Sequence, residues 1–288
     1  MAKTTTNSKP KPYENNPFFV ATNGLDLLFK KAQSVGIALA ILAALSFISS
    51  VPSLFTNPSG DASTTTQTAA QQQAEAQKFA DAIAAIPLEV WLIAGGIGLL
   101  ILLIVITVGI VIRGVADFTS AQLANGKDVT LSEAFRSVFS NFWGYAWVMV
   151  VVGVKVFLWT LLFIIPGFIM AYRYSLSGVA FFENKLRGNA ATKHSAALTK
   201  GAWLTTYASQ NLLNLLTFGA IAYLLAPGTN GVLYRQLTDA GEVKPKAHVL
   251  SWLTLIIPFV LLVLIIVVAV SLAILLFSMA ASGELKTN

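Results

Sequence analysis

Residues 90–112 read VWLIAGGIGLLILLIVITVGIVI, 23 consecutive positions without a charge. A helix rises about 1.5 Å per residue, so roughly 20 apolar residues cross a hydrocarbon core about 30 Å thick. Further apolar runs lie on either side of this one, at about 33–55, 142–165, 168–182, 202–226 and 250–281. The last sits inside 35 uncharged residues, 249–283. No soluble core in a chain of 288 residues needs so many. Composition agrees: 56% of residues are hydrophobic and 11% charged, against roughly 25% charged in an ordinary soluble domain. The expected fold class is all-α, a polytopic transmembrane helical bundle of about six spans arranged as three hairpins.

Outside the runs the chain changes character. Residues 1–16 (MAKTTTNSKPKPYENN) read as a disordered basic tail, 17–282 as a single integral membrane domain, and 283–288 as a C-terminal tail. The start is polar and proline-punctuated, so an uncut first anchor fits better than a cleaved signal peptide. Three mixed-polarity stretches, 17–31, 114–141 and 183–201, precede hairpins and read as amphipathic connecting helices at the cytoplasmic surface. In the first, Phe18, Leu25 and Phe29 fall on one helical face; in the second, Leu131, Phe135, Val138 and Phe139 do. Residues 57–88 form a Thr/Gln-rich outer loop, a linker and then an exposed helix up to Pro87. Within 90–112, the spacing of Ala94 and Gly98 suggests a small-residue stripe for helix packing.

Lys and Arg counts orient the bundle. Five precede the first span, one (Lys78) lies in the next loop, three in 113–141 and four in 183–201. The N-terminus and the connecting helices are therefore expected in the cytoplasm. Six simple spans place Arg235, Lys244 and Lys246 outside, against the rule. If 202–234 instead dips in and returns, those charges stay cytoplasmic and the C-terminus is outside. Length favours six spans.

Chemistry is sparser. No cysteine is present, which removes disulfides, thiolate zinc sites and cysteine nucleophiles. His194 and His248 are too few and too far apart for a metal cluster, and no cofactor motif occurs. The net charge of +6 suits anionic lipid head groups rather than nucleic acid. Lys155 and Arg173 lie inside apolar runs, where a charge costs roughly 2.5–3.5 kcal/mol at the bilayer centre and so faces a bundle interior or wet cavity. With Gln210, Asn211 and Asn214 they form a candidate contact for an anionic lipid or solute. The bland alternative is snorkelling and inter-helix hydrogen bonding. Pro166 and Gly167 mark a helix break with wholly apolar flanks. Enzyme signatures such as His-Glu-x-x-His or Gly-x-Ser-x-Gly are missing, so a non-enzymatic protein is expected.

The segment from Lys155 to Trp203 carries Ile164-Ile165-Pro166-Gly167, Tyr172-Arg173-Tyr174-Ser175, Glu183-Asn184, Gly188, Ala190, Ser195 and Leu198-Thr199-Lys200-Gly201. In these residues it resembles a family of uncharacterised bacterial polytopic membrane proteins. That family is related to the membrane domain fused to some glycerophosphoryl diester phosphodiesterases. The resemblance implies a helical bundle with cytoplasmic amphipathic connectors in a bacterial cytoplasmic membrane, and it brings no catalytic residues. The expected role is an envelope or membrane scaffold, or alternatively a small transporter or lipid-handling protein with a cationic intramembrane site.

Overall fold

The structure is a computed structural model that describes residues 13–55, 76–81, 85–217, 219, 221–241 and 246–281. Residues 1–12, the Thr/Gln-rich part of the outer loop at 62–75 and the tail from 282 lie outside the described residues. Among the described residues the architecture is carried by α1 (Pro17–Lys31), α2 (Gln33–Phe55), α3 (Leu88–Ala124), α4 (Leu131–Ser140), α5 (Phe142–Leu162), α6 (Ile164–Arg173), α7 (Ser177–Asn184), α8 (Asn189–Leu198), α9 (Trp203–Leu216), α10 (Ala222–Asp239) and α11 (Val249–Ala281). No strand occurs among the described residues.

Three helices, α3, α5 and α11 (over Val249–Leu275), are long and apolar enough to cross a membrane. A fourth crossing is added if α1 and α2, which meet at a 119° bend at Ala32, count as one. Exposure divides these helices sharply. Leu99 to Ile106 of α3 are all about half exposed, whereas Val111, Val115, Asp117 and Leu123 are buried. Likewise Tyr145 and Val148 of α5 are fully buried, and Phe157 and Leu161 are not. Apolar side chains left uncovered in such numbers imply a lipid solvent. The buried parts assemble into a compact helical cap from which the apolar helices project.

At the centre of the cap runs α10, between α1 and α3. Small residues permit both crossings. A Cβ on Gly24 of α1 would stand 2.5 Å from the Thr229 nitrogen, and one on Gly228 would strike the Gly24 carbonyl. On the opposite side, a Cβ on Gly231 would stand 2.9 Å from the Ser120 carbonyl of α3. Leu225, Leu233 and Leu237 fill the space between, each contributing about 1.5–3 kcal/mol by its removal from water. The corner between α1 and α2 is pinned by the loop before α4: Val129 N donates to the Lys31 carbonyl at 2.8 Å, and Leu131 N to Ser34 Oγ at 3.0 Å. A capping box of Thr130 and Glu133 starts α4.

Several expectations change. The basic tail does not run to 16: Asn16 caps α1, and Asn15 Nδ2 donates to the Lys246 carbonyl at 2.9 Å. In α1 the expected aromatic side stays uncovered, with Phe18 and Phe29 exposed, and the cap packs on its other side through Val20, Ala21, Gly24 and Leu28. The Ala94/Gly98 stripe is exposed, and a Cβ on Gly98 would meet nothing within 4 Å; the close packing is at Gly24, Gly228 and Gly231 instead.

The run at 168–182 is not one helix. It starts inside α6, is interrupted at 174–176, and continues as α7 in the cap. The break before it falls at Phe163, one extended residue (φ −156°, ψ 134°), not at Pro166-Gly167. Pro166 sits in the first turn of α6, where a missing N–H costs nothing. Gly167 lets α6 lie against α5, since a Cβ there would stand 2.6 Å from Thr160 Cα. The run at 202–226 is also broken: α9 ends at Leu216, and Pro227-Gly228, which reads as a helix stop, lies inside α10. Among the described residues, neither 168–182 nor 202–226 contains a helix long enough to span.

Candidate functional site

The turn between α6 and α7 draws together most of the polar residues singled out by sequence. Arg173 Nη2 donates to the Ala196 carbonyl of α8 at 2.9 Å, and its own carbonyl accepts from Ser195 Oγ and Thr199 Oγ1 at 2.8 and 3.1 Å. Gln210 Nε2 of α9 donates to Ser175 Oγ at 3.2 Å and to Asn230 Oδ1 of α10 at 2.7 Å. Asn211 Nδ2 donates to the Tyr172 hydroxyl at 3.2 Å. Tyr172-Arg173-Tyr174-Ser175 is therefore a hub that ties α6 to α8 and α9. A tight turn presents several unpaired backbone groups, and each must find a partner when buried.

Lys155 reaches the same turn from α5. Its Nζ lies 5.4 Å from the centre of the Tyr174 ring and donates to Asn189 Oδ1 and, at 2.6 Å, to Thr192 Oγ1. The ammonium has bent toward the cap, where amide, hydroxyl and ring face replace water. Lys155 and Arg173 are thus engaged with the protein itself, in the manner of the bland alternative. Neither is among the residues that line the cavity beside Asn214.

One polar cluster escaped the sequence reading. Asp117 of α3 is fully buried, and its Oδ2 accepts from the Tyr145 hydroxyl at 2.7 Å and from Arg113 Nε at 3.2 Å. Arg113 Nη2 continues to the Ser175 carbonyl at 3.1 Å. Gly178 of α7 leaves room for this carboxylate, which a Cβ would strike. Arg113 and Asp117 are four apart, the one signal available, but the same spacing describes countless surface pairs. Burial made it a joint between α3, α5 and the hub.

Asn211 and Asn214 belong to a different feature. A groove of about 670 Å³ lies between the end of α9 and the start of α11, walled by Leu215, Leu216, Leu253, Ile257 and Leu261. The two amides and Thr254 are its polar lining. Among the described residues Asn214 Oδ1 has no hydrogen-bond partner, and it is itself enclosed rather than presented to the trough. The groove opens where Leu216 is 65% and Ile257 52% exposed, on the lipid-facing side.

His194 shares a hydrogen-bond cluster with Asn184 and the Tyr234 hydroxyl, the latter at 3.2 Å. Among the described residues no three His, Asp or Glu side chains gather as a metal site would require. Compared with known proteins, the chain matches no family model, no curated sequence and no solved structure.

Proposed function

We propose that this protein is a non-enzymatic membrane scaffold that holds one lipid in the groove between α9 and α11. The observation that carries the reading is an apolar trough open to the bilayer, walled by Leu215, Leu216, Leu253, Ile257 and Leu261. An acyl chain lies along Leu253, Ile257 and Leu261, with the amide side chains of Asn211 and Asn214 beside it. Asp117 and Arg113 are spent on joining helices, which supports a non-catalytic role.

In this reading α2, α3 and α11 cross the membrane, and α5–α6 and α9–α10 dip in and return. Ten residues of α6 rise only about 15 Å, half the hydrocarbon thickness. The cap then collects Arg235 and Lys246 with Lys31, Arg136 and Arg187 on one face of the membrane. By the positive-inside rule that face is cytoplasmic, with the N-terminus, and the C-terminus is outside. The membrane is the cytoplasmic membrane of a bacterium, on the resemblance carried by the Tyr172–Ser175 hub.

The experiment is photo-crosslinking with a lipid bearing a diazirine in its acyl chain. Labelling should concentrate on 212–216 and 253–261 and vanish in Ile257→Trp, which fills the groove. Labelling spread evenly over α3 and α11, unchanged by that variant, would sink the proposal.

A further inference from the structure

The corner where α4 meets α5 presents four exposed aromatics in two helical turns of each helix. Phe135 and Phe139 stack on α4 with centroids 6.1 Å apart. Trp143 and Trp147 follow on α5, and Trp143 is 84% exposed. Val138, which the spacing groups with Phe135 and Phe139, is instead fully buried with Ala134 on the adjacent side of α4, so the helix is anchored there with its two phenylalanines outward. This stripe runs without interruption into the lipid-facing positions Val150, Val154 and Phe157 of the same helix. Aromatics at that junction lie at the membrane–water boundary.

Directly beside them the chain brings up two cations. Lys185 closes α7 in a left-handed conformation (φ 54°) and turns the chain toward the corner. A cavity of about 390 Å³ is lined there by Lys185 and Arg187 with Ser137 and Asn141. A second, of about 160 Å³, shares Asn141 and Arg187 and extends to Phe139 and Trp143. Neither cation is in an ion pair among the described residues. The nearby carboxylate of Glu183 is held by Asn125 Nδ2, and it lines a separate cavity with Arg235 and Asp239.

We infer that this corner is a binding site for the phosphate-bearing head group of an anionic phospholipid, taken by Lys185 and Arg187 above the Phe139 and Trp143 rings. Two cations, a hydroxyl and an amide suit a phosphodiester, and the aromatic stripe holds the site at head-group depth. A soluble protein partner would need to meet the same aromatics at the level where α5 enters the lipid. The site is separate from the α9–α11 groove and stands whether or not that groove holds lipid.

The test is native mass spectrometry of the full chain released from nanodiscs of phosphatidylglycerol or phosphatidylcholine. Wild-type protein should retain phosphatidylglycerol and not phosphatidylcholine. The double variant Lys185→Gln/Arg187→Gln should retain at least about tenfold less, the energetic equivalent of losing one charge-assisted contact. Lys127→Gln, a cation elsewhere on the cap, should match wild type. Trp143→Ala should weaken retention with both cations intact. Should the double variant fold poorly, wild type alone decides: raising salt from 0.1 to 1 M should reduce phosphatidylglycerol retention. Equal retention by the double variant, indifference to salt, or displacement by glycerol phosphate alone would overturn the inference. The last outcome would mark a site for a free phosphate rather than a lipid.

Discussion

The Tyr207 hydroxyl donates to the Thr254 carbonyl at 3.1 Å, and Pro258 is the reason that carbonyl is open. In a helix the residue four positions on would donate to it, but a proline has no N–H. The lost bond inside α11 is replaced by one from α9, so a helix irregularity becomes a docking point beside the groove.

Tyr207→Phe removes that donor and should destabilise the protein by about 1–2 kcal/mol, since a buried carbonyl is left unpaired. In a Pro258→Ala background the helix supplies its own donor, and the same change should cost less than half as much. Thermal unfolding of the four proteins in detergent measures the cycle; equal costs in both backgrounds would disprove the exchange of partners.

Gly24→Ala should be among the most damaging single-methyl additions in the chain. The atoms in its way are backbone, the Thr229 nitrogen and the Gly228 carbonyl carbon, so no side chain can yield, and a loss of about 1–3 kcal/mol or more is expected. Gly96→Ala meets no atom within 4 Å and should be neutral or stabilising by up to about 1 kcal/mol from helix propensity. Expression and melting temperature side by side decide it.

The two cations set in apolar runs should differ. Lys155→Met removes a charge that is costly to bury together with its contacts to the exposed Asn189 and the buried Thr192, whose hydroxyl keeps its bond to the Asn189 carbonyl; the two effects offset, and stability should change by less than about 1 kcal/mol. Arg173→Leu takes the donor from the Ala196 carbonyl in the α6–α8 corner and should cost about 1–3 kcal/mol. If Lys155→Met proves the more damaging, the hub assignment is wrong.

Burial pushes Tyr234 up to about 12, with the Glu183 charge adding and the Asn184 hydrogen bond opposing. Its folded value therefore lies above the unfolded one, near 10. The neutral phenol contributes stability that is full below pH 10 and is lost as pH rises toward 12. Chemical denaturation of wild type and Tyr234→Phe across pH 8–12 should show their difference shrinking over that window. A constant difference would count against the buried hydrogen-bonded phenol.

Which segments meet lipid was readable from the chain, because hydropathy is a local property and a bilayer demands it over some twenty consecutive residues. The runs at 90–112 and 250–281 lie within α3 and α11. Residues that need a distant partner to have a meaning were not readable. Pro227-Gly228 looks like the end of a helix until Gly24, far away in sequence, is laid across it. Asp117 looks like an interfacial charge until Gly178 and Tyr145 close over it.

The candidate site divides along the same line. Lys155 and Arg173 stood out because a charge in an apolar run is conspicuous on its own, yet their partners, Thr192 and Ala196, come from α8 and are invisible to any local pattern. Asn214 is one polar residue among several in the sequence; only the approach of α11 places it on the wall of a groove. Solvent preference is written residue by residue along a chain. Enclosure is a relation between surfaces, and it exists only once the helices have been brought together.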